Sequence, residues 1–123
     1  MNNHNYFLLN TAEHIFLIPI NDVLFVKSDG MYSQLIGIEN QEWETSKPIS
    51  AVQTQLENSG FCRIHRSFIV NIHFIRKVDK AERVVHMAGG QKIPCSKTGL
   101  KTLVQLFKAP AEPQENGKEI ISW

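Results

Sequence analysis

Short runs of apolar residues, separated by polar and turn-forming residues, extend through most of the chain. Runs of this length that are rich in Phe, Ile, Leu and Val are typical of β-strands, and Pro19 argues against a helix near the start. Asp29-Gly30 and Gly89-Gly90 supply turns of the kind that join hairpin strands. The pattern predicts strands at Tyr6–Thr11, His14–Ile20, Asp22–Lys27, Tyr32–Ile38, Glu42–Thr45, Phe68–Val70, Phe74–Val78, Arg83–Ala88 and Gln91–Cys95.

A first short helix is predicted at about residues 48–58. Ser46, Lys47 and Pro48 open it, because serine can cap free N–H groups and proline is tolerated in the first helical turn. Gly60 ends it, where a left-handed residue is convenient. Its apolar residues are spaced by three and four and form one stripe, consisting of Ile49, Val52 and Leu56.

A second helix is predicted over residues 97–107. Ser96 can cap its start, and Pro110 and Pro113 stop it. Its apolar stripe consists of Leu100, Leu103, Val104 and Phe107. A chain of 123 residues has room for one hydrophobic core. We therefore expect a single, mainly β domain with one or two short helices.

The composition is that of an ordinary globular protein, with 42% hydrophobic and 20% charged residues. No apolar run approaches the roughly 20 residues of a membrane helix, and Met1–Asn5 lacks the features of a secretory signal. We expect a cytoplasmic protein that makes no membrane contact. Cys62 and Cys95 are then expected to be reduced core or strand residues.

The net charge of +1 conceals a strong separation of charge along the chain. Residues 1–60 carry two lysines and seven acidic residues, a net of −5, and residues 109–123 carry one lysine and three acidic residues, a net of −2. Residues 61–108 carry ten Lys or Arg and two acidic residues, a net of +8. Such an excess is what a face that binds a polyanion requires. A solvated strand face would account for it equally well.

Catalytic and metal-binding patterns are not apparent in the chain. The five histidines never pair with a second His or Cys at the spacing of zinc ligands. Ser67 lies near His65 and Asp79, but no nucleophile-elbow sequence surrounds it. Carboxylates are too scattered for a metal-dependent nuclease, and Gly89-Gly90 precedes a strand rather than the helix of a phosphate loop. We expect neither enzymatic activity nor a cofactor.

The segment Phe61–Asn71 concentrates polar donors after the end of the first helix, and we expect a loop here before the buried strand Phe68–Val70. Arg63 and Arg66 favour nucleic acid, because guanidinium groups suit guanine edges and phosphates. Ser67, Asn71 and His65 can donate to phosphate oxygens. They would equally suit a structural role, in which Ser67 and Asn71 hold backbone groups and His65 is a half-buried ring.

This segment resembles the LytTR-type DNA-binding domains of bacterial response regulators. RIHRSFIVN at Arg63–Asn71 matches the characteristic segment of that family closely. The upstream DVLFVKSDGMY and the downstream IPCSKTGLKTL are similar to its first strand and turn and to the element before its last helix. Lys27 and Cys95 depart from the usual residues, which are a glutamate and a small aliphatic residue. The resemblance covers residues 13–108, preceded by an N-terminal strand or arm at 1–12 and followed by a linker or tail at 109–123.

The resemblance implies an elongated stack of antiparallel sheets whose loops enter successive major grooves of double-stranded DNA. It places base contacts near Ser33, at Arg66 and at Lys97. Lys97 would otherwise be a solvated helix start, but cations are disfavoured beside a helix N-terminus, so its position mildly supports a bound anion. Phosphate contacts are assigned provisionally to Arg63, His65, Lys47 and Lys101.

The favoured hypothesis is sequence-specific binding of duplex DNA by a transcriptional regulator, with two protomers on repeated half-sites about 10 to 10.5 base pairs apart. The alternative is a protein-interaction or regulatory module of the same fold that does not bind DNA. RNA binding or nuclease activity has the least support, because exposed aromatic platforms and carboxylate clusters are missing. Control by an upstream sensor or receiver protein is a further expectation. The apolar end Glu119–Trp123 is either a frayed terminus or a docking peptide.

Overall fold

A computed structural model describes residues 5–108. Within this range the chain forms ten strands and two helices, which confirms the mainly β class. The elements are β1 (Tyr6–Asn10), β2 (Ile15–Pro19), β3 (Val23–Asp29), β4 (Tyr32–Gly37), β5 (Glu42–Thr45), α1 (Ile49–Gln55), β6 (Phe61–His65), β7 (Phe68–Asn71), β8 (Ile75–Asp79), β9 (Val84–Met87), β10 (Lys92–Pro94) and α2 (Lys97–Phe107). Short 3-10 turns at Ile20–Asp22 and Ile72–Phe74 precede β3 and β8.

The strands form three antiparallel sheets. The central sheet has five strands in the order β5-β4-β3-β7-β6, a second sheet has three in the order β10-β9-β8, and β1 and β2 form a hairpin. Val23 to Val26 in β3 are all buried. A strand that is covered on both faces reads as a continuous apolar run, which explains this part of the sequence.

Two apolar cores lie on opposite faces of the central sheet. Val23 and Val26 of β3 belong to a core shared with the β1–β2 hairpin, with the fully buried Val52 of α1 and with the fully buried Leu56, which follows that helix. Leu24 and Phe25, together with residues of the three-stranded sheet and of α2, form the second core. The central sheet is therefore the scaffold on which both helices dock.

Two predictions about local structure are corrected. The segment Phe61–His65 is strand β6 and not a loop. Phe61, Arg63 and His65 are half-buried and alternate with the buried Cys62 and Ile64, which is the period of a strand with one covered face. Arg63 and His65 are polar residues of a kind also common in loops, so the alternation is weak in the sequence alone.

Helix α1 is shorter than predicted and starts differently. Pro48 is its N-cap residue, and no side chain caps it, so Ser46 does not act as the cap. The helix ends at Gln55, and residues 56–60 form turns in which Gly60 has a φ of +83°. Gly60 therefore has the left-handed conformation that was predicted, but turns rather than the helix precede it.

Helix α2 has the predicted bounds and the predicted cap, since the Ser96 hydroxyl accepts a hydrogen bond from the Gly99 N–H at 2.9 Å. The helix start is fastened to β6, because the N–H and the hydroxyl of Ser96 both donate to the Ile64 carbonyl, at 2.9 and 3.2 Å. A Cβ on Gly99 would lie 2.1 Å from that same carbonyl oxygen. Glycine therefore allows the helix backbone to approach β6 this closely.

Candidate nucleic-acid interface

Three connections meet at one end of the central sheet. β3 and β7 are neighbours, with Lys27 opposite Phe68, and the N–H of Ser28 donates to the carbonyl of Ser67 at 2.9 Å. The β3–β4 turn therefore lies beside the β6–β7 turn. The contact of Ser96 with Ile64 brings the start of α2 to the same place. We call these three connections the loop end.

The β6–β7 turn consists of Arg66 and Ser67, and the side chain of Arg63 braces it. The Arg63 guanidinium donates to the carbonyls of His65 and Arg66, and to Oε1 of Gln53 on α1 at 2.7 Å. The donor fork of arginine suits several acceptors at once. Arg63 therefore holds the turn against α1, although its charge still adds to the potential of the loop end.

Arg66 lies at the tip of this turn and is exposed. Its side chain has no hydrogen bond or ion pair with any residue of the described range 5–108. A guanidinium group on a braced turn with no internal acceptor is available to bind an external one. Ser67 is half-buried, and its hydroxyl likewise has no described partner.

His65 has a defined orientation in the same turn. Its Nδ1 accepts a hydrogen bond from the Ser67 N–H at 3.1 Å, and its ring lies 5.6 Å from the ring of Phe68. Because Nδ1 is an acceptor, a neutral His65 ring carries its proton on Nε2. The Nε2–H group is then the donor that remains for a ligand.

A groove connects the β6–β7 turn to the start of α2. Lys97 is exposed at the first position of α2 and has no side-chain partner among residues 5–108. His65, Lys97 and Arg83 line the groove with one acidic residue, Glu82, and with Pro94, Cys95 and Ser96. Lys97 and His65, which precedes Arg66, therefore line the same groove.

Arg83 was not predicted as a site residue. It was assigned to a strand, but it lies in the β8–β9 turn with a φ of +52°, and its carbonyl accepts from the Cys95 N–H at 2.9 Å. This hydrogen bond fastens the turn beside the start of α2. The excess of positive charge in residues 61–108 was the one signal that pointed to it.

Ser33 is corrected from a predicted DNA contact to a structural residue, and Asn71 takes the structural one of its two predicted roles. Ser33 is fully buried, and its hydroxyl donates to the Lys47 carbonyl at 2.9 Å. Asn71 is 1% exposed; its amide donates to the Val23 carbonyl at 2.9 Å, and its Oδ1 accepts from the His73 N–H at 3.1 Å. Both side chains are buried and have their polar atoms satisfied by backbone groups, whereas an unsatisfied buried polar group would be costly.

The first turn instead presents other side chains. Gly30 has a φ of +64°, and the adjacent Met31 is 82% exposed. Tyr32, at the start of β4, is also exposed. An exposed methionine beside a positively charged surface offers an apolar contact but no hydrogen-bond donor for a base edge.

Lys47 and Lys101 are both exposed near this surface. The Lys47 carbonyl is bound by Ser33 at the start of β4, and its Nζ donates to Oε1 of Gln55 at 2.9 Å. Lys101 lies four residues after Lys97 on α2. Residues four apart share one face of a helix, so Lys101 extends the positive surface along α2.

Other kinds of site find little support in the described part of the chain. No three His, Cys, Asp or Glu residues gather there in a position to hold a metal ion. Neither helix within residues 5–108 is long and apolar enough to cross a membrane. Burial raises the pKa of both the Cys62 and the Cys95 thiols above their ordinary value, so these groups stay protonated near neutral pH.

Comparisons with known proteins give one consistent match. Residues 13–108 match the family model of the LytTr DNA-binding domain. The sensory transduction protein LytT of Bacillus subtilis is 26% identical over 102 residues, covering 80% of this chain and 42% of that protein. A response regulatory protein of Vibrio cholerae is 31% identical over 100 residues, covering 76% of this chain and 39% of that protein. The chain therefore spans about two fifths of the length of these relatives.

A solved structure shares the fold. The LytTr DNA-binding domain of a response regulator from Bacillus cereus superposes with a TM-score of 0.70 at 21% sequence identity. The alignment covers 84% of this chain and 96% of that one. The arrangement of three antiparallel sheets and two helices is therefore that of a known domain.

Proposed function

Since this chain belongs to the LytTr DNA-binding domain family, we propose that it binds double-stranded DNA in a sequence-specific manner and regulates transcription. The loop end is the binding surface in this proposal. Arg66 reads a base edge, Lys97 reads a second one from the start of α2, and both act in the major groove. The β3–β4 turn contacts the same duplex beside them.

The observation that supports this function best is that the Arg66 side chain is exposed and has no partner within residues 5–108. It projects from a turn that Arg63 braces, and it has no acceptor among the described residues. A buried or ion-paired arginine would have to break internal bonds before it could bind a guanine. Arg66 avoids that cost, because the turn is already ordered and its guanidinium group is unoccupied.

Phosphate contacts are assigned to the hydrogen-bond donors and cations around this tip. His65 offers Nε2–H, and Arg83, Lys47 and Lys101 supply positive charge within the same surface. Such contacts fix the position of the protein on the duplex without reading sequence. Ser67 is retained as a backbone contact, since its hydroxyl has no described partner.

Selection of bound duplexes from a random pool, followed by affinity measurements on the selected site, tests the proposal. Arg66→Ala should lose about 1 to 3 kcal/mol on that site and flatten the preference at one base position. Lys101→Ala should weaken all duplexes by a similar factor and reduce the salt slope by about 1. Lys108→Ala is the matched control, because this lysine lies at the far end of α2.

Two outcomes would contradict this proposal. Equal losses on every duplex after Arg66→Ala would show that Arg66 does not read a base. Absence of any salt-dependent binding to duplex DNA would favour a protein-interaction module with the same fold. Salt dependence distinguishes DNA binding from protein docking. Binding to phosphates releases counterions and therefore weakens as salt rises, whereas docking to a protein need not release them.

Partners and context follow from the same proposal. Two protomers bind repeated half-sites on one face of the duplex, about one helical turn apart. Because the chain spans about two fifths of the length of its relatives, an upstream sensor or receiver protein is proposed as the source of control. Binding to chromosomal DNA implies a cytoplasmic location.

A further inference from the structure

The outer face of the three-stranded sheet carries a row of basic side chains. Lys77 of β8 lies opposite His86 of β9, and His86 lies opposite Lys92 of β10. Residues directly opposite each other point to the same face of a sheet. The buried Val85 and Ile93, next to His86 and Lys92 in their strands, point inward to the core. The three basic residues therefore form one row on the outside.

This arrangement concentrates positive potential on one face of the sheet. Adjacent strands are about 4.8 Å apart, so the row spans about 10 Å with no acidic residue within it. Cationic and polar N–H groups in one row attract an anion that lies along it.

Lys92 and His86 are the residues on which the inference depends. Lys92 is exposed and His86 is half-buried, and neither side chain has a partner among residues 5–108. Lys77 has a partner of its own and only adds to the positive potential. Two polar groups on adjacent strands are thus available to a ligand on this face.

The row adjoins the groove of the loop end. The neighbouring outward row consists of Pro94, Val84 and Asp79, and Pro94 also lines the groove with His65 and Lys97. Two residues along a strand cover about 7 Å, so Lys92 lies about that distance beyond the rim of the groove.

Acidic residues separate the two surfaces. Asp79 is the last residue of β8, and Glu82 lies in the β8–β9 turn. The Asp79 carboxylate accepts a hydrogen bond from the Glu82 N–H at 2.9 Å. They divide the positive surface into two patches rather than one continuous band. A rod of regularly spaced phosphates can contact both patches, because each strand of a duplex carries one phosphate per about 3.4 Å of helix axis. A small anion would occupy one patch only.

We propose that the outer face of the β8–β9–β10 sheet, through His86 and Lys92, binds the phosphate backbone of duplex DNA that flanks the segment contacted by the loop end. This inference rests on the proposed function, and it adds a second contact region outside the loops. The contact is independent of sequence and lengthens the footprint of the domain on one side of its site.

The test compares two duplexes that contain the same selected site. One ends at the site, and the other extends it by about ten base pairs, or one helical turn, on each side. The wild-type domain should bind the long duplex more tightly than the short one. The double variant His86→Gln/Lys92→Gln should lose about three- to tenfold in affinity for the long duplex, as expected for one exposed and one half-buried contact. Its affinity for the short duplex should equal that of the wild type.

Salt dependence and a matched charge change complete the design. The double variant should reduce the salt slope by about 1 to 2 on the long duplex only. Lys108→Gln removes one charge at the end of α2 and should show no effect of duplex length. Lys92→Glu should deepen the loss on the long duplex, and thermal unfolding verifies that each variant is folded.

Each result has a distinct meaning. Equal effects of the double variant on both duplexes, or no effect on either, would overturn the flanking contact while leaving the loop end intact. If the wild type binds neither duplex, the proposed function fails and the flanking contact fails with it. A length-dependent loss after Lys108→Gln would show that the effect is one of net charge and not of this face.

Discussion

Replacing Arg63 by lysine separates a bracing role from a phosphate contact, because the charge stays and the donor fork is lost. In the structure the guanidinium binds Gln53 Oε1 at 2.7 Å, the His65 carbonyl at 2.9 Å and the Arg66 carbonyl. A lysine ammonium group at this position can form about one of these three hydrogen bonds. The variant Arg63→Lys therefore loses about two hydrogen bonds.

The expected magnitude follows from those two bonds. A hydrogen bond contributes about 0.5 to 1.5 kcal/mol net, and partial exposure of Arg63 favours the lower half of that range. Arg63→Lys should therefore lower the free energy of unfolding by about 1 to 2 kcal/mol, or Tm by about 5 to 10 °C. Releasing the turn should also weaken DNA binding, because ordering a residue on binding costs about 1 to 2 kcal/mol. A five- to thirtyfold loss in affinity is expected at constant salt slope.

Urea unfolding and a salt titration of binding measure the two effects. Arg63→Gln is the companion variant, since it removes the charge as well. If Arg63 contacted a phosphate directly, Arg63→Lys would bind nearly as the wild type does, and Arg63→Gln would reduce the salt slope by about 1. Unchanged stability in Arg63→Lys together with that slope change would refute the bracing role.

Three further predictions concern the scaffold. Asn71→Ala should lower the free energy of unfolding by about 2 to 3 kcal/mol in urea, because it leaves the buried Val23 carbonyl without its donor, and an unchanged midpoint would contradict this. Gly99→Ala should cost about 3 kcal/mol or more, since its Cβ would meet the Ile64 carbonyl oxygen; Tm and DNA affinity should both fall, and a variant as stable as the wild type would disprove the close approach. The Cys62 thiol, whose pKa is raised by burial, should be alkylated slowly in the native state and rapidly in urea. Because the unfolded thiols ionise first, stability should decline as pH rises through their ordinary pKa toward the raised folded value, and stability that is flat across this range would argue against buried thiols.

The order and type of the elements could be read from local patterns. Alternation and short apolar runs indicated nine of the ten strands within the described residues. Ser96 and the apolar stripe of α2 gave correct bounds for that helix, because capping and periodicity are local properties. The exception was β6, whose Arg63 and His65 resembled loop residues although they alternate with Cys62 and Ile64.

The roles of individual polar residues could not be read in the same way. Asn71 ends one of the segments that resemble the family and Ser33 directly follows another, yet both are buried and bind backbone carbonyls. Arg83 lay in a predicted strand, and a hydrogen bond to Cys95 brings it to the groove. A side chain's surroundings depend on which strand lies beside its own, and that neighbour is distant in sequence.

Local sequence was sufficient for the β-rich class, the α2 cap and the basic segment that carries Arg66, because each rests on contacts within a few residues. The gathering of the β3–β4 turn, Arg66 and Lys97 at one end required the pairing of β3 with β7 and the docking of Ser96 on Ile64. Those contacts join residues far apart in the chain, and their register determines which side chains face the core and which remain for a ligand.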